Sequence, residues 1–239
     1  MTNILYHVRT ISAVIVSLLL CAVVLGGALP AVAGEAENAQ QLVDKASMTL
    51  NAFVADKDMG PSLKALLKKA RGVLIYPQVL RGAFIVGVSG GSGTFVAYDA
   101  KAKKWGGPAF YTIGEASFGL QAGGDASEVV LVALTERGMT ALLTTSAKLG
   151  ADVGVALGPV GAGAEAATAN LSADIVSYAR AKGLYAGMSV EGAVVASRGS
   201  LNKAYYGQDV SPTDILIRRT VSNPQAAGLI EAVTKAGGK

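Results

Sequence analysis

From Val73 onward the apolar residues change from a helical to a strand period, and glycine falls inside the strand-like runs as well as between them. Residues 73–76, 83–88, 94–98, 109–113, 117–121 and 128–134 are short runs rich in β-branched or aromatic residues, divided by Gly, Pro, Asp and Lys. Glycine inside a strand marks a bulge, a tight bend or a close backbone approach, and here it recurs at Gly82, Gly87, Gly114, Gly119, Gly123 and Gly124. A curved or barrel-like, mostly antiparallel sheet follows. The run 94–98 alternates and leads through the polar stretch 99–104 to Trp105, which predicts a hairpin, whereas 129–134 does not alternate and predicts a strand buried on both faces.

Helical patterns flank this β-rich middle, so the fold class is α+β. Leu42, Val43, Ala46, Leu50, Phe53 and Val54 form an apolar stripe that stops at Gly60-Pro61. A short helix over 61–70 follows, with Leu63, Leu66, Leu67 and Ala70 inward. Residues 136–148 suit another short helix, and 149–167 is too rich in Gly, Ala and Val to separate helix from strand. Two further strands are expected around 184–189 and 192–197. Ser211-Pro212-Thr213-Asp214 reads as a capping box. Asn223 and Pro224 start a last helix with Ala226, Leu229, Ile230 and Val233 inward, ended by Gly237-Gly238.

Residues 1–33 read as a signal peptide. Arg9 gives a short basic region, an apolar run extends to Leu29, and Ala31-Val32-Ala33 supplies the small residues signal peptidase requires, so the mature chain should start at Gly34. A retained anchor and a lipoprotein attached through Cys21 are the competing readings; Leu18-Leu19-Leu20 puts bulk ahead of that cysteine where a small residue is expected. The expected location is periplasmic or secreted, peripheral to a membrane. Residues 34–239, roughly 200 residues, suit one domain. Its one histidine, His7, and one cysteine, Cys21, would leave with the leader, which excludes disulfides, Cys-His or Ser-His-Asp nucleophile systems and imidazole or thiolate metal sites. No cofactor is expected. A net charge of +4 without a pronounced basic footprint argues against nucleic acid.

The clearest candidate site is basic. Lys64, Lys68, Lys69 and Arg71 cluster on the outer side of the 61–70 helix, the arrangement of a helix that lies on an anionic membrane and equally that of a solvated face on a core helix. Arg218 and Arg219 form a second candidate patch. The glycines of 87–93 and 154–163 invite a phosphate-binding reading, but the first precedes a strand, and the second has only Gly161-Ala162-Gly163-Ala164-Glu165-Ala166 without a clear strand–turn–helix context. Glu115 and Glu191 are the remaining acids with catalytic potential, and spacing ties neither to a second carboxylate. Tyr178, Tyr185, Tyr205 and Tyr206 suit a barrel wall or a lipid-facing rim.

The order of several local strings resembles the SYLF domain family: Ala70-Arg71-Gly72-Val73-Leu74-Ile75-Tyr76-Pro77, Trp105 with Pro108, Gly119-Leu120-Gln121-Ala122-Gly123, Gly158-Pro159-Val160-Gly161, Lys182-Gly183-Leu184-Tyr185-Ala186-Gly187, Glu191-Gly192 and Tyr206-Gly207. The resemblance covers nearly the whole mature chain. It implies a non-enzymatic domain that binds phospholipid headgroups, in a family whose eukaryotic members engage phosphoinositides and actin. For an exported, bacterial-type member the expected partner is an anionic phospholipid membrane, and export argues against actin. Lys64, Lys68, Lys69, Arg71, Arg218 and Arg219 are then the expected lipid-binding residues. A scaffold binding another envelope protein and a carboxylate-dependent hydrolase are the alternatives.

Overall fold

The computed structural model describes residues 28–83, 86–118, 123–158, 173–181, 184–185 and 190–239. His7, Cys21 and most of the expected leader lie outside them. The first helix, α1 (Ala28–Ala55), carries the foreseen stripe, with Val43, Ala46, Leu50 and Phe53 buried. Asp56 turns the chain by accepting the backbone N–H groups of Asp58 and Met59, both at 2.9 Å, and α2 (Gly60–Leu67) follows. Among the described residues no helix is long and apolar enough to cross a membrane.

Four long strands replace the six short runs: β1 (Gly72–Ala83), β2 (Val86–Asp99), β3 (Lys104–Phe118) and β4 (Gly123–Ala133). The glycines read partly as breaks sit mostly inside these strands. Pro77 has no N–H to donate, and here β1 slips register against both β2 and β4. The bulge brings the β1 backbone against Gly91 and Gly93; a Cβ at Gly93 would lie 2.5 Å from the Ile75 carbonyl oxygen. The 94–105 hairpin is as expected, with Tyr98 opposite Trp105. So is the doubly buried strand, since Val129, Val130, Leu131, Val132 and Ala133 are all inaccessible.

The 136–148 helix divides. Thr135 caps α3 (Glu136–Leu143) by accepting the Gly138 N–H at 3.0 Å, but Thr144 turns extended, and β5 (Ser146–Lys148) continues as a strand. Then come β6 (Val155–Leu157), β7 (Ile175–Ala181), β8 (Leu184–Tyr185), β9 (Val194–Ser197) and α4 (Gly199–Tyr206), a helix the sequence reading missed. The capping box is present: the Ser211 hydroxyl and N–H both donate to Asp214, whose own N–H donates back to Ser211 Oγ. It starts only a π-turn, Asp214–Arg218. Asn223 caps Pro224–Ala226, which leads into α5 (Ala227–Gly237), closed by left-handed Gly238.

One sheet in the order β5-β9-β3-β2-β1-β4-β7-β6, with β8 on β7, curls into a half-barrel, antiparallel except for β6 on β7. Up to the Pro77 bulge both faces are covered. α1, α2, α4 and α5 pack on Ile75, Val96, Phe110, Val130 and Tyr178, while α3 and the π-turn cover Leu74, Phe95, Tyr111 and Leu131.

Asp174 knits β7 to its neighbours by accepting the Thr135 hydroxyl at 2.6 Å and the Gly154 N–H at 3.1 Å, with Arg137 at 3.7 Å. The Thr135 bond above all holds its carboxyl below the ordinary range, against the opposing effect of burial. Asp214 is lowered in the same way, chiefly by Ser211. A depressed folded pKa stabilises above the unfolded value, near pH 4, and that contribution fades as pH falls through the folded value. Thermal unfolding midpoints should therefore fall in acid below about pH 4, and less so in Asp174→Asn.

Candidate functional site

α2 is shorter than expected, and this changes the geometry of the basic cluster. The helix ends at Leu67, where the N–H groups of Lys69 and Ala70 tighten onto the Leu66 and Leu67 carbonyls. Lys64 stands on its last turn, while Lys68 is the cap and Lys69 and Arg71 belong to the link into β1. Cations here oppose the negative end of the helix dipole, which accounts for their tolerance without a ligand. Lys64, Lys68 and Lys69 are exposed and make no ion pair among the described residues. Arg71 is exposed but salt-bridged to Glu136.

The fold adds lysines that spacing alone did not join to this group. Arg71 donates its N–H to the Ala133 carbonyl and accepts that of Tyr98, so the β2–β3 hairpin emerges at the same end of the sheet. Asp99 Oδ1 folds the hairpin by accepting the N–H groups of Lys101 at 2.8 Å and Ala102 at 3.0 Å. These bonds, Ala102 first, hold the Asp99 carboxyl below its ordinary range. Lys101, Lys103 and Lys104 project into solvent. Lys239 donates to the Ala70 carbonyl at 2.8 Å and lies 4.1 Å from the Tyr98 ring centroid. Burial, then Arg71, lowers its pKa. The run Lys101, Lys103, Lys104 was legible as a turn, and only the strand pairing shows which turn it neighbours.

Arg218 and Arg219 do not form a free patch. Arg218 is paired with Asp214 at 2.8 Å. Arg219 is left-handed at φ 56°, and its side chain is only 19% exposed, laid on Gly106 with Asp99 at 3.6 Å and the Lys104 carbonyl at 3.3 Å. It braces the lysine hairpin from below. The other candidates fall elsewhere. Glu115 in β3 pairs with Arg81 at 3.6 Å, and Glu191 is exposed beside Gly150. The described glycines of 87–93 lie within β2, and residues 161–166 fall outside the described residues. Tyr178 and Tyr205 are buried: Tyr178 donates to Ser62 at 3.1 Å, and Tyr205 packs edge-on to Phe110, so they build the wall and not a lipid-facing rim. The Tyr185 side chain is outside the described residues.

Residues 114–236, from the second half of β3 to α5, match the family model Ysc84, described as a Las17-binding protein actin regulator. The chain belongs to the Ysc84 (SYLF) family. Among Ysc84 relatives, human SH3 domain-containing YSC84-like protein 1 is 33% identical over 168 residues, 70% of this chain and 48% of the relative. Protein YSC84 of Saccharomyces cerevisiae is 32% identical over 198 residues, 78% of this chain and 41% of the relative. LAS seventeen-binding protein 3 from the same yeast is 32% identical over 171 residues, 70% and 36% respectively. The chain thus spans about half the length of these relatives or less. None of the three is named for a catalytic activity.

Proposed function

We propose that the protein is a non-enzymatic module that binds anionic phospholipid at a membrane surface, with the lysine-rich end of the sheet against the headgroups. The observation that carries the reading is the convergence of Lys64, Lys68 and Lys69 with Lys101, Lys103 and Lys104, exposed and outside any ion pair among the described residues, at one end of β1 and β2. A solvated surface has no need to gather unpaired cations from separate segments, since like charges repel. An anionic surface rewards the arrangement by about 1 kcal/mol per basic residue. With the leader read from the sequence, the site of action is an envelope membrane, reached from the periplasmic or secreted side.

An acidic protein partner is the second reading, supported by the Las17-binding and actin-regulator names of the family. Co-sedimentation with vesicles separates the two. Phosphatidylglycerol vesicles should pellet the protein at low salt and lose it as salt rises, while phosphatidylcholine vesicles should not. Failure to bind phosphatidylglycerol at low salt would overturn the lipid reading.

A further inference from the structure

Beyond the Pro77 bulge, one face of the central sheet has no partner among the described residues. Directly opposed residues in antiparallel strands point to the same side. Leu80 lies between Gly90 of β2 and Ala126 of β4, and Val88 between Gly82 of β1 and Ala116 of β3. All six are apolar or lack a side chain, and Leu80 and Val88 are 55% and 60% exposed. The alternate positions Arg81, Ser89, Glu115 and Asp125 put the charges on the opposite face, where Arg81 pairs with Glu115.

This exposed face is on the α1 side, because Ala126 shares strand parity with Val130 of the core under α1. α1 stops short of covering it and stands over it as a wall. A cleft of about 420 Å³ separates the helix flank of Lys45, Met48 and Ala52 from Gln78 and Ala126. A second, of about 240 Å³, continues along the helix to Ser92 and Arg198, and Lys45 lines both. Lys45 is exposed and outside any ion pair among the described residues. Of the two acids lining the clefts, Glu128 is held by Arg180 and Thr49, and Glu35 lies in the far cleft. Among the described residues the groove therefore has an uncharged floor, a pliable methionine wall and Lys45 above it as the cation shared by both clefts, while Arg198 in the far cleft is tied down by donating to Ser92 Oγ at 2.7 Å.

Its size selects the occupant. At strand and residue spacings of about 4.8 and 6.8 Å, six positions present roughly 200 Å², a quarter of the ~800 Å² each partner gives to a stable protein interface. A hydrocarbon chain needs no such area. We propose that this groove binds a single-chain anionic lipid, its chain on the Leu80 and Val88 floor and its charged head at Lys45. Along β1 the floor is about 30 Å from Arg71, at roughly 3.3 Å per residue, so this site is distinct from the lysine-rich end and is tested apart from it.

The test is calorimetric titration of the full chain with oleate below its micelle concentration. Saturable binding of one oleate per chain is expected. Leu80→Thr with Val88→Thr keeps strand-forming residues at exposed positions and should weaken it at least tenfold. Lys45→Gln should weaken oleate severalfold and leave uncharged oleyl alcohol unchanged. Lys68→Gln with Lys69→Gln should spare oleate while reducing vesicle binding. Absence of saturable oleate binding, or equal affinity in the Leu80/Val88 double variant, overturns the site. A wild-type dimer dispersed by that double variant would also overturn it, assigning the face to a second copy.

Discussion

Exchanging Lys64, Lys68, Lys69 and Lys101 together for glutamine should cut affinity for phosphatidylglycerol vesicles at least a hundredfold at low salt and leave the thermal midpoint unchanged. All four side chains are exposed and outside ion pairs among the described residues, so their removal strands no buried carboxylate. Glutamine is a good helix former, and Leu63, Leu66 and Leu67 still pack beneath it. At about 1 kcal/mol per basic residue, four lost charges approach three orders of magnitude, less as salt screens the surface. Arg71 is left out because its loss would free Glu136, and Arg219 because it braces the hairpin. The salt dependence should flatten in the variant. Unchanged vesicle affinity in a folded variant would return these lysines to the role of a solvated face.

The second large effect is on folding. Gly93→Ala should lower stability by about 3 kcal/mol, seen as a fall in midpoint of roughly 6–12 °C for a chain of this size. A Cβ there would lie 2.5 Å from both the Ile75 carbonyl oxygen and Tyr76 Cδ1. Neither has room to yield: Ile75 is bound into the bulged ladder, and Tyr76 is fully buried. Gly82→Ala is the matched comparison, with nothing within 4 Å of the added carbon and no expected change beyond about 0.5 kcal/mol. Equal midpoints for the two variants would show that the bulge can relax.

The same residues explain how far the chain could be read. Periodicity found α1, the buried strand β4 and the last helix, because each buries a stripe long enough to show its period. Capping chemistry found the Ser211–Asp214 box and the Asn223 cap, because those bonds close within a few residues, and an alternating run followed by a polar stretch found the 94–105 hairpin. Glycine was the weak point. In a strand pattern it signals equally a break or a close approach, and the carbonyls that decide between them at Gly93 come from another strand. Thr144 ended α3 early, and α4 was missed because only Leu201, Asn202 and Tyr205 of its eight residues are buried, with Asn202 Oδ1 spent on the Phe110 N–H.

What the sequence determined by itself was local: an α+β chain with a glycine-bent, mostly antiparallel sheet, a cluster of cations before β1, a lysine-bearing turn after β2 and the strings that mark the family. Backbone preference, side-chain period and capping act over a few residues and are written there in full. The tertiary structure decided which charges are free. Arg71 and Arg219 look equivalent to the lysines in a string of letters, but Glu136 and Asp99 reach them only through the fold, whereas Asp214 stands just four residues before its partner Arg218. It also joined the α2 lysines to those of the hairpin, and set the exposed Leu80 and Val88 on one face beside Lys45, because strand register and the reach of α1 are set by long-range packing.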